Sequence, residues 1–101
     1  MPEATIVLSN ASGLHARPAK IFAQAAAASP AQVVVEKAGR AVNGKSVLSV
    51  LTLACERGDE IVIRTSGERA EETLAELVAM IESGFGEEAN EGPGSAEGPG
   101  G

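Results

Sequence analysis

One histidine, an arginine two residues on and a proline that opens an alanine-rich stretch are the residues best placed to do chemistry. The segment Ser12-Gly13-Leu14-His15-Ala16-Arg17-Pro18 holds the only histidine of the 101 residues. Pro18 is tolerated in a first helical turn, where backbone N–H groups lack intrahelical partners, and Ala19 to Ala28 can continue the helix. His15 then sits at the helix's amino end, where open N–H groups and the positive end of the macrodipole favour an anion. Arg17 adds a fixed cation with a forked donor face. Imidazole offers a neutral ring nitrogen at physiological pH and is a nucleophile without a strong auxiliary base. A phosphoryl group on the imidazole would be well held there. Arg17 and the backbone N–H groups of Ala16 and Arg17 would hold the charge on its oxygens.

These residues need a scaffold, and the rest of the chain supplies one. Thr5 to Leu8, rich in β-branched residues, predicts a strand; Ser9-Asn10-Ala11-Ser12-Gly13 then forms a loop leading to His15. The helix is expected to stop near Ser29, because Pro30 biases its predecessor away from helical geometry. Gln32 to Lys37 and Arg40 to Val42, separated by Ala38-Gly39, predict a hairpin. Ser46 is a good N-cap for a short helix over Val47 to about Leu53 that is apolar nearly all round. Ile61 to Thr65 predicts another strand. Ala70, Leu74, Leu77, Val78 and Ile81 share one face of a last helix and leave Glu68, Arg69, Glu72 and Glu76 outside. The order βαββαβα makes an α+β fold, three helices covering one face of a four-stranded antiparallel sheet. Residues 1–86 are expected to form this domain. Residues 87–101, built from Gly, Glu, Pro, Ala, Ser and Asn, are expected to be a disordered acidic tail.

Size and composition exclude several functions. A chain this short buries only about 60 to 70 per cent of its unfolded surface, so the site is expected on the outside. With no tryptophan or tyrosine and only Phe22 and Phe85, the core must be aliphatic, and stacking platforms for single-stranded nucleic acid are missing. Fourteen acidic against eight basic residues give a formal charge of −6, which opposes nucleic acid as a partner. No apolar run approaches a membrane span and the amino terminus has no signal core, so a cytoplasmic protein without membrane insertion is expected. Cys55 is alone and is expected to be a small buried hydrophobe. One Cys and one His cannot build a structural zinc site, and no metal or cofactor is expected. Arg40 and Arg69 read as solvated surface charges.

Two readings compete over residues 39–46. Gly39-Arg40-Ala41-Val42-Asn43-Gly44-Lys45-Ser46 matches the phosphate-binding pattern G-x-x-x-x-G-K-[ST] at every specified position. A nucleotide-binding protein of that kind needs a mainly parallel sheet and a second acidic motif for magnesium. Here Glu60-Ile61-Val62-Ile63-Arg64 ends in arginine where a carboxylate is required. The nucleotide reading is the weaker one. Gly13-Leu14-His15-Ala16-Arg17-Pro18-Ala19 resembles the active-site signature of the HPr family, the histidine-containing phosphocarriers of the bacterial phosphoenolpyruvate-dependent sugar phosphotransferase system. Asn43-Gly44-Lys45-Ser46-Val47-Leu48 resembles the family's regulatory-serine region, and the likeness runs to about Glu88.

The resemblance implies an open-faced β-sandwich and a phosphoryl carrier that is not itself an enzyme. His15 would accept a phosphoryl group at Nδ1 from the phosphorylated histidine of enzyme I and pass it to sugar-specific enzyme IIA domains. Ser46 would be a helix cap and a target of HPr kinase/phosphorylase. Val47, Leu48 and Leu51 are candidates for a docking patch, since a helix apolar on all sides cannot bury every residue in a small domain. A monomer is expected. The alternative from another class is a regulatory paralogue of the same fold, in nitrogen-related phosphotransfer or transcriptional control.

Overall fold

The β-branched runs and the alanine-rich stretch form the expected elements, with shifted ends. The structure, a computed structural model, describes residues 2–10 and 12–86, and the tail at 87–101 lies outside the described residues. The strands are β1 (Glu3–Val7), β2 (Gln32–Lys37), β3 (Arg40–Asn43) and β4 (Glu60–Ser66); the helices are α1 (Ala16–Ala27), α2 (Val47–Thr52) and α3 (Ala70–Glu82). A single 3-10 turn, Gly84–Gly86, follows α3. β1 therefore begins two residues earlier than Thr5 and releases Leu8 to the loop. β3 takes in Asn43, which pairs with Val34.

The four strands form one antiparallel sheet in the order β1-β4-β2-β3. Ala38 and Gly39 close the β2–β3 hairpin with φ 52° and 85°, the left-handed pair that matches the twist of the flanking strands. Side chains alternate across the sheet. Val33, Val35, Ile61, Ile63 and Thr65 are buried under the helices. On the open face Arg64 bridges Glu3 and Glu36.

Phe22 and Ala26 of α1, Val50 of α2 and Leu77 and Ile81 of α3 meet those strand residues in one core. Leu74 only packs against its margin, whereas Thr73, absent from the apolar stripe, is buried and its hydroxyl lies 2.6 Å from that of Ser29. That contact joins the end of α1 to the start of α3. On α2 the expected leftover appears as Leu48, which is 76% exposed. Arg40 and Arg69 are exposed as expected but not idle: Arg40 donates to Thr52 O at 3.0 Å and Arg69 lies 3.4 Å from Glu72.

Phe22 is the largest fully buried side chain, and its replacement by alanine is expected to cost about 3–5 kcal/mol of unfolding free energy. Leu48→Ala removes a side chain that covers little and is expected to cost less than about 0.5 kcal/mol. Urea unfolding of the two variants checks the contrast.

Candidate functional site

His15 is held by two irregular segments lying side by side, the loop after β1 and the turn between α2 and β4. Leu8 N donates to Asp59 O at 2.9 Å, and Leu8 O accepts from Gly58 N at 2.7 Å. At the other end of the loop Leu14 N donates to Cys55 O at 3.0 Å. Between these straps the loop closes on itself: Gly13 N donates to Asn10 O, and the buried Asn10 side chain donates from Nδ2 to Gly13 O at 2.8 Å. Gly13 has φ 59°, and a Cβ there would stand 2.5 Å from Cys55 O and 2.6 Å from Glu56 Cα, so both the backbone angle and the close approach require glycine. Leu14 is fully buried and anchors the loop, which leaves the next side chain, His15, half-buried at the surface.

The helix behind His15 starts at Ala16, two residues before Pro18. His15 is its N-cap with extended backbone, φ −113° and ψ 158°, and makes no side-chain capping bond; no acidic residue occupies the first turn. Ala16 takes φ 48°, a left-handed angle that costs a non-glycine residue about 1–2 kcal/mol and stores strain beside the imidazole. The first-turn N–H groups of Ala16 and Arg17 have no intrahelical acceptor. Arg17 is exposed, and among the described residues no carboxylate pairs with it. A nucleophilic ring, open N–H groups and an uncommitted guanidinium thus lie within three consecutive residues.

The turn that straps the loop is held by an ion pair between its own Asp59 and Lys37 at the end of β2. Lys37 Nζ lies 2.9 Å from Asp59 Oδ2, and the same oxygen accepts Glu56 N at 2.8 Å. Lys37 Nζ also donates to Ala54 O at 3.0 Å and Leu53 O at 3.3 Å. The Glu56 N–H, then the Lys37 ammonium, hold the Asp59 carboxyl below the usual carboxylate range, and the nearby His15 adds a smaller share. The hydrogen bond to Asp59 holds Lys37 up. Cys55 is the buried hydrophobe expected, and burial pushes its thiol up, away from the reactive thiolate.

Ser46 caps α2 as expected, its Oγ accepting Ser49 N at 3.2 Å. α2 packs beside α1. Of the three residues expected to form a docking patch, Leu48 is exposed, Val47 is half-buried and Leu51 leans on the core. The nucleotide-binding pattern is used for packing. Gly44 N donates to Val33 O at 2.8 Å, a Cβ on Gly44 would stand 2.6 Å from Val33 Cγ1, and Lys45 Nζ donates to Ser29 O at 2.8 Å. The preceding strand is the edge of an antiparallel sheet, where a phosphate-binding loop of that class needs a parallel one.

Asn10, Lys37, Asp59 and the Cys55 carbonyl were not among the residues the sequence pointed to. Arg57-Gly58-Asp59 is legible as a turn, but nothing local pairs Asp59 with a lysine 22 positions away.

Residues 2–83 match the family profile described as "PTS HPr component phosphorylation site". The phosphocarrier protein HPr of Streptomyces coelicolor is 42% identical over 88 residues, covering 86% of this chain and 95% of that one. The HPr-like protein Crh of Bacillus subtilis is 39% identical over 69% of this chain and 82% of its own. Among solved structures, HPr from Thermoanaerobacter tengcongensis superimposes with a TM-score of 0.84 at 41% identity, over 86% of this chain and 98% of that one. The chain belongs to the HPr family of bacterial phosphocarriers.

Gly13→Ala is expected to destabilise the domain by about 3 kcal/mol, left-handed strain and overlap with Cys55 combined. Gly39→Ala, where a Cβ meets nothing within 4 Å, is expected to cost only about 1 kcal/mol. Urea midpoints of the two variants check the difference.

Proposed function

We propose that this protein is a phosphoryl carrier of the phosphoenolpyruvate-dependent sugar phosphotransferase system and that His15 is its acceptor. The observation that carries this reading is the half-buried His15 at an uncapped helix start, with Arg17 exposed two residues on. In the forward step Nδ1, unprotonated while the ring's proton sits on Nε2, attacks the phosphorus held by the phosphorylated histidine of enzyme I. The P–N bond to that donor breaks as the new P–N bond forms, and the donor ring keeps the electron pair. The same geometry runs the second transfer, to a histidine of a sugar-specific enzyme IIA. Such transfers depend mainly on alignment and on stabilising the equatorial oxygens. Arg17 and the N–H groups of Ala16 and Arg17 supply that stabilisation without a metal.

Both partners must dock around a half-buried acceptor at the surface, and Leu48 with Val47 forms the apolar part of that docking surface. The carrier works as a monomer in the cytoplasm. Ser46, beside the patch, is the site where HPr kinase/phosphorylase would add a dianion that opposes docking.

Enzyme I and phosphoenolpyruvate are expected to place one acid-labile phosphoryl group on the wild-type protein and none on His15→Ala, read by intact mass. Arg17→Ala is expected to slow single-turnover transfer by about a hundredfold, and Arg17→Lys to recover part of it because an ammonium lacks the fork. A wild-type protein that takes no phosphoryl group would overturn the carrier reading in favour of a regulatory protein of this fold.

Ser46→Asp is expected to slow transfer about three- to tenfold at subsaturating enzyme I, with an unchanged or higher melting temperature. Wild-type rates at every enzyme I concentration would make Ser46 a helix cap only.

A further inference from the structure

We infer that Lys37 and Asp59 form a clamp that positions the His15 loop for phosphoryl transfer. The inference rests on the carrier reading for its functional half and on the geometry alone for its structural half. The loop owes its place to the turn: Leu8 and Leu14 both bond to backbone groups of residues 55–59. The turn in turn needs an anchor. Ala54 takes the left-handed angle φ 53°, and the carbonyls of Leu53 and Ala54 emerge at the end of a six-residue helix that leaves them without intrahelical donors.

Lys37 meets each of these needs from a fixed base. It ends β2, an interior strand, on the face that carries the buried Val33 and Val35, so its side chain points under the helices toward the end of α2. An ammonium has three N–H donors and no acceptor. Here the three have three acceptors: Leu53 O, Ala54 O and Asp59 Oδ2. Asp59 closes the ring by accepting Glu56 N on that same oxygen, while its own backbone carbonyl accepts Leu8 N. Lys37 thus grips the turn at both ends, at Ala54 and at Asp59, on either side of the Cys55 carbonyl that holds Leu14. His15 is the next residue after Leu14.

The pair is only partly shielded, its side chains 27% and 32% exposed, and ion pairs of that exposure contribute little to global stability. What the clamp supplies is position. Neither residue touches the reacting atoms; both act through the turn.

The test compares Lys37→Met, Asp59→Asn and Lys37→Arg in the full-length protein, by hydrogen exchange and by single-turnover phosphorylation from phosphorylated enzyme I. In Lys37→Met and Asp59→Asn the Leu14 amide is expected to exchange about tenfold faster while the Ile63 amide in the core stays within about twofold, the mark of local opening. The maximum transfer rate is expected to fall about fivefold with the half-saturating enzyme I concentration within about twofold, since the displaced group is the acceptor and not the docking patch. Lys37→Arg keeps a charged multiple donor and is expected to restore most of the rate. Wild-type Leu14 exchange in both Lys37→Met and Asp59→Asn would overturn the clamp. A rate loss confined to half-saturation, or one that Lys37→Arg fails to reduce, would overturn its positioning role. If the wild-type protein accepts no phosphoryl group, the carrier reading falls and the exchange data still decide the clamp.

Discussion

Three backbone hydrogen bonds between the loop after β1 and the turn before β4 hold the site together: Leu8 N to Asp59 O, Gly58 N to Leu8 O, and Leu14 N to Cys55 O. Irregular backbone inside a small domain must find partners for its polar groups, and here two irregular segments satisfy each other. The bonds fix both ends of the loop. Gly13, pressed against Cys55 and Glu56, and the fully buried Leu14 remove its remaining freedom. His15 follows with its backbone extended, and the chain turns through a left-handed Ala16 into α1. The imidazole is therefore presented by a part of the molecule with no regular structure of its own, fixed at both ends by hydrogen bonds to the neighbouring turn.

Charge is arranged to match. The whole chain carries −6, while the start of α1 has no acidic residue in its first turn and an exposed Arg17 beside open N–H groups. On the proposed reading, an incoming phosphoryl group would meet Arg17 and these N–H groups on an acidic protein, with no first-turn carboxylate to displace. The nearby acidic side chain, Asp59, is engaged by Lys37 and the Glu56 N–H. An uncommitted site of this kind suits a carrier, which must bind its phosphoryl group in passing and release it to a second partner.

Much of this was legible in the sequence because the relevant signals are local. The valines of β2, the isoleucines of β4, the break at Pro30 and the stripe on α3 each announce their element. His15, Arg17 and Pro18 lie within one turn of each other, so their juxtaposition needs no tertiary information. What escaped is of two kinds. Left-handed Ala16, Ala54 and Arg69 carry no signal, because a non-glycine residue adopts that angle only when its surroundings impose it. Lys37 with Asp59 and Ser29 with Thr73 are contacts made by folding, and no spacing encodes them. The phosphate-binding pattern at 39–46 is the converse, a local match outside its usual setting: Gly44 packs against Val33 and Lys45 bonds to Ser29 O.

On the carrier reading, the pairing of loop and turn presents His15 Nδ1 at the open start of α1 for a phosphoryl group. Nitrogen and phosphorus NMR of the isotopically labelled protein, before and after phosphorylation by enzyme I and phosphoenolpyruvate, tests it directly. Phosphorus coupled to Nδ1 of His15 is expected, with large downfield shifts of the Ala16 and Arg17 amides as they bond to the phosphoryl oxygens and nearly unmoved amides at Leu8 and Leu14. Coupling to Nε2, a phosphoryl group on another residue, or Ala16 and Arg17 amides that do not respond would contradict it.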